Sequence, residues 1–145
     1  MSLTVINCIY VFHNSRMCLL SREYPDSTLN MNKDLFCGYA AAIASFTNEV
    51  TKDKIVEIVL ENYLMTFKIK CNLIILTISN HDVNKTKLIS TLDFLLHLFF
   101  TAYLDIIKLD VLSRNVFSPF TATIDEILSY EGFFSTNLVI QTLIT

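Results

Sequence analysis

Two stretches of this chain have almost no polar face, and they constrain the fold more than any other feature. Residues 3–12 read Leu-Thr-Val-Ile-Asn-Cys-Ile-Tyr-Val-Phe, and residues 73–76 read Leu-Ile-Ile-Leu. The first is rich in β-branched and aromatic residues and lacks helical spacing, so it is a strand. The second sits inside another strand candidate, 72–79. A strand with no polar side needs cover on both faces. The chain is therefore expected to build a sheet between helix layers, with these two strands at its centre.

The other elements follow from pattern. His13-Asn14-Ser15 is a short turn, and residues 16–22 return as a second strand, closing a hairpin. Pro25, Asp26, Ser27 and two asparagines make 23–32 a loop. A first helix is predicted over 34–48, with Asn32 or Asp34 as its N-cap. Leu35, Phe36, Tyr39, Ile43 and Phe46 lie on one arc of it, and that arc is expected to face the sheet. Strands three and four are predicted over 55–60 and 63–70. Strand four alternates cleanly, with Tyr63, Met65, Phe67 and Ile69 on one side and Thr66, Lys68 and Lys70 on the other. Asn84-Lys85-Thr86 fits a glycosylation sequon but reads more simply as a helix-capping turn.

A long second helix is predicted over 85–108. Leu88, Ile89, Leu92, Leu95, Leu96, Phe99, Phe100, Tyr103, Ile106 and Ile107 form its apolar arc. Its length would suit a bilayer, but Asp93 and Asp105 would each cost about 2.5–3.5 kcal/mol at a bilayer centre. Their place on one polar stripe marks an amphipathic helix over a core. Residues 110–119 read as a connector. A third helix spans 120–130, with Ile124, Ile127 and Leu128 inward and Asp125, Glu126 and Ser129 outward, and Gly132 stops it. The segment 133–145 is apolar and has no assigned element. The order is β-β-α-β-β-β-α-α in one α+β domain, 1–145: a five-stranded antiparallel sheet between one helix and two.

Composition narrows the function. Of 145 residues, 52% are hydrophobic and 17% charged, which excludes disorder. Eleven basic against 14 acidic residues give −3, the wrong balance for a nucleic-acid domain. Only two glycines, Gly38 and Gly132, are present, so no phosphate-cradling loop or nucleophile elbow can form. Cys8, Cys18, Cys37 and Cys71 are scattered with no CxxC, which speaks for reduced thiols in a cytoplasmic setting. His97 and Asp93 share a helix face at metal-ligand spacing, but no third ligand accompanies them. Cys37 has no histidine nearby in sequence to act as its base. No catalytic group, metal or cofactor is expected. Lysines and arginines do not cluster, so direct attachment to anionic lipid is not expected either.

The element order, opening with a hairpin, resembles the longin domain over residues 3–130. Near the C-terminus, Arg114-Asn115-Val116, then Ile124-Asp125-Glu126-Ile127-Leu128, Gly132 and Ser135-Thr136 look like the end of the longin domain in small and medium adaptor subunits. Phe120-Thr121-Ala122-Thr123 stands where that family carries Tyr-Glu. The resemblance implies a non-enzymatic module. Its partners would be a second longin or roadblock domain, as a homo- or heterodimer, and a small GTPase or a trafficking complex; any membrane residence would come through them. A PAS-like small-molecule sensor is the alternative, although its usual order carries several short helices where this chain has one long one.

A partner surface is expected on the first helix, opposite its large apolar arc; the alternative is that the 23–32 loop or the apolar segment 133–145 of the same chain covers that side. That side carries Cys37, Gly38, Ala40, Ala41, Ala44 and Ser45, with no charge between Asp34 and Glu49. Small residues let another backbone come close. The third strand, with Ile55 and Glu57, is expected to extend the contact as an open sheet edge.

Overall fold

A computed structural model describes residues 6–15, 17–24, 32–108 and 114–133. The segment 134–145, with Ser135 and Thr136, lies outside the described residues, as does most of the 23–32 loop. The elements are β1 (Ile6–His13), β2 (Cys18–Glu23), α1 (Lys33–Thr51), β3 (Glu57–Val59), β4 (Leu64–Lys70), β5 (Leu73–Ser79), α2 (Lys85–Lys108), α3 (Arg114–Phe117) and α4 (Phe120–Tyr130). All pairings are antiparallel, in the order β2-β1-β5-β4-β3. The expected α+β architecture is the one observed.

The two strands without a polar face are indeed interior. Every residue of β5 is buried. β1 pairs with it from Ile6↔Ser79 to His13↔Leu73, with one irregularity between Ile6 and Cys8. Alternation then sorts the sheet into two cores. Ile9, Val11, Leu64, Leu73 and Ile75 face α2, meeting Leu88, Leu92, Leu95, Leu96 and Phe99 together with Ile124 and Leu128 of α4. Tyr10, Phe12, Met65, Phe67, Ile74, Leu76 and Ile78 face α1.

The predicted caps hold the helix ends. Asn32 Oδ1 accepts from the N–H groups of Asp34 and Leu35, both at 3.1 Å. Asn84 Oδ1 accepts from Lys87 N at 3.1 Å, so the sequon asparagine is a cap. Gly132, at φ +83°, closes α4: its N–H reaches Ser129 O at 3.0 Å, and Phe133 N–H reaches Leu128 O at 2.9 Å. α2 has the predicted bounds, with non-helical backbone at Tyr103. Among the described residues, no helix is long and apolar enough to cross a membrane.

Three expectations are corrected. The connector contains a short helix, α3, whose Phe117 is buried against Phe99 and Tyr103, ring centroids 5.3 and 5.0 Å away. Asp125 of α4 is buried rather than outward. The largest correction is the rotation of α1. Its buried residues are Cys37, Ala40, Ala41 and Ala44, while Leu35, Tyr39 and Phe46 face solvent. Phe36 alone of the three aromatics turns inward, its ring 5.1 Å from Tyr10. The reason is volume. The sheet already fills this layer with Tyr10, Phe12, Met65 and Phe67, and interiors pack at fixed density. A helix laid over bulky side chains fits by presenting small ones.

Ala41→Arg should therefore destabilise the domain by about 3 kcal/mol or more, since it forces volume and charge into a filled core. Phe46→Glu should change stability by no more than about 0.5 kcal/mol, as surface replacements do. Thermal or denaturant unfolding of both variants checks the rotation; the reverse ranking would overturn it. A second expectation concerns Thr66 and Thr77, register partners across β4 and β5. Both hydroxyls are buried without a hydrogen-bond partner among the described residues. Thr77→Val should be neutral or stabilising by up to about 1 kcal/mol in urea unfolding.

Candidate partner interface

α1 leaves a continuous apolar stripe in water. Leu35 is 74% exposed, Tyr39 60%, Phe46 66% and Val50 64%. Residues four apart stack on one side of a helix, and 35, 39, 46 and 50 fall within a narrow arc along its length. Asn32 at one end and Lys52 at the other fix that helix. Lys52 adopts a left-handed backbone, φ 60°, and its N–H closes on Asn48 O at 2.8 Å. Ala40, Ala41 and Ala44 seat the helix on the sheet, so the stripe is held outward by the packing beneath it.

The expected partner residues divide accordingly. Cys37, Ala40, Ala41 and Ala44 are core residues and inaccessible to a partner. Gly38 is half-buried and Ser45 exposed at the margin of that face. Ile55 is half-buried against the α1 core. Glu57 turns to the other side of the sheet, where its carboxylate lies 3.6 Å from Lys85 Nζ. β3 is one of the two edge strands, paired among the described residues only with β4, and is shorter than the predicted 55–60. Val56, Val59 and Leu60 around it are exposed. The residues missed were the large ones. Leu35, Tyr39 and Phe46 share one arc at helical spacing, which predicts a core face, but spacing cannot tell a face that meets the sheet from an apolar face left in water.

A second constellation escaped the sequence reading. Asp125 accepts from Arg22 Nε through both oxygens, at 3.1 and 3.0 Å, and from the Tyr24 hydroxyl at 2.8 Å. The Arg22 guanidinium lies 4.9 Å from the Tyr24 ring centre. Burial first, and then the Asp125 carboxylate, push the Tyr24 phenol far above its ordinary range, so its proton stays in place to donate. This network ties α4 to the end of β2. The Asp of the Ile124-Asp125-Glu126 segment thus has a structural task. Its sequence signal was faint: one acid beside the apolar arc of α4, on the side that the periodicity assigns to water.

The polar groups considered for chemistry meet lysines. Lys68 Nζ is 3.8 Å from Asp93, and Lys70 Nζ is 3.2 Å from His97 Nδ1. An ammonium has only protons to offer, so Nδ1 is the acceptor and Nε2 carries the ring proton. Both members of the pair face a resident cation. His81 Nε2 donates to Tyr63 O at 2.9 Å, and His13 Nδ1 meets Ser15 Oγ at 2.8 Å in the exposed hairpin turn. The space between sheet and α2, where a sensor would need a pocket, is filled by Leu88, Leu92, Leu95, Leu96 and Phe99.

With this geometry in hand, comparison with known proteins is informative for the fold. No protein-family model matches the chain, and no curated protein sequence matches it. Among solved structures, the gliding protein MglB from Thermus thermophilus superposes with a TM-score of 0.51 over 59% of this chain and 70% of that one, at 13% identity. The likeness supports the longin-like architecture. At that identity it speaks for fold alone.

Asp125→Ala should cost about 3 kcal/mol of stability, because it leaves the half-buried Arg22 without its counter-charge. Urea unfolding checks this; a loss under about 1 kcal/mol would mean the network is not what holds α4. A second prediction concerns alkali. Burial pushes the Cys8 thiol from 9.0 up to about 12. Below pH 9.0 the thiol is protonated in both states. Above it the unfolded thiol ionises while the folded one does not, so stability falls as pH rises from 9.0 toward about 12. Tyr10 and Tyr24 are shifted the same way by burial. Melting temperature should fall through this range, and less steeply in Cys8→Val.

Proposed function

We propose that this protein is a non-catalytic interaction module that pairs with a second longin or roadblock domain, its own copy first. The pair would serve as a scaffold for a small GTPase or a trafficking complex. The observation that carries the reading is the α1 stripe. A solvated helix face normally bears Lys, Glu, Gln or Arg. Here it bears Leu35, Tyr39, Phe46 and Val50, all well exposed. Aromatic anchors of this kind dominate interface energetics. The edge strand β3, whose outer side is unpaired among the described residues, adds an edge through which a partner strand can extend the sheet. The proposed contact uses the same helix and strand as the sequence expectation but the opposite arc of the helix, because Cys37, Ala40, Ala41 and Ala44 are buried. The longin-like fold supports the same class of function, since the resemblance implies assembly rather than catalysis.

Sedimentation velocity on the whole chain tests the reading. Wild type is expected to sediment as a dimer at micromolar concentration. Tyr39→Glu and Phe46→Glu should shift it to monomer while the circular dichroism spectrum stays that of the folded domain, and the concentration dependence of the melting temperature should be lost. If wild type is a monomer, and neither variant loses any protein that co-purifies with wild type at native expression, the reading fails.

A further inference from the structure

We draw no further inference here: the strongest candidate, the open groove of about 630 Å³ between α2 and α4 around Phe94 and Ile127, is an unpartnered face, and nothing in the structure shows what covers it.

Discussion

The packing of α1 on the sheet is the constraint from which the rest of the molecule follows. β1, β4 and β5 direct Tyr10, Phe12, Phe67 and Leu76 toward that helix, and these side chains occupy most of the layer. A helix can cover such a surface by coming close, which requires Ala40, Ala41 and Ala44 beneath it. Once those positions are used, the apolar residues on the far side of α1 have no core to enter. The exposed stripe follows directly from how the helix is seated.

The opposite layer is solved differently. There the sheet offers branched aliphatic residues, and α2 supplies leucines and Phe99 in return. Phe117, Phe120 and Tyr103 gather around Phe99 in tilted and edge-on contacts, extending that core beyond the sheet. The Arg22–Asp125–Tyr24 network then sets the position of α4. Breaking a half-buried ion pair is costly because the surviving charge is stranded, and this makes the network a fixed joint. The joint and the apolar stripe lie on different layers, so the stripe can be altered without loosening α4.

Two polar groups that stood out in the sequence meet cations carried by the sheet. His97 and Asp93 share a helix face, but β4 brings Lys70 and Lys68 against them. Cys8, Cys18 and Cys37 are buried, and Cys71 alone is exposed, at the β4–β5 turn. The buried thiols belong to the packing of the α1 layer, and burial holds Cys8 protonated well into the alkaline range.

The sequence by itself determined the element order apart from α3, the bounds of α2, the caps at Asn32, Asn84 and Gly132, and the interior place of β1 and β5. Each of these rests on local physics: strand alternation, helical periodicity, or the need of a terminal N–H for an acceptor. It also raised the first helix and the third strand as a candidate contact surface, since no charge stands between Asp34 and Glu49. Only the tertiary structure decided which side of that helix is free. Both arcs of α1 are uncharged, so no hydrophobic pattern along one segment could choose between them. The choice was made by the volume of side chains on strands distant in sequence. Asp125 was settled the same way: its partners Arg22 and Tyr24 stand 103 and 101 residues away, and nothing local to α4 announces them.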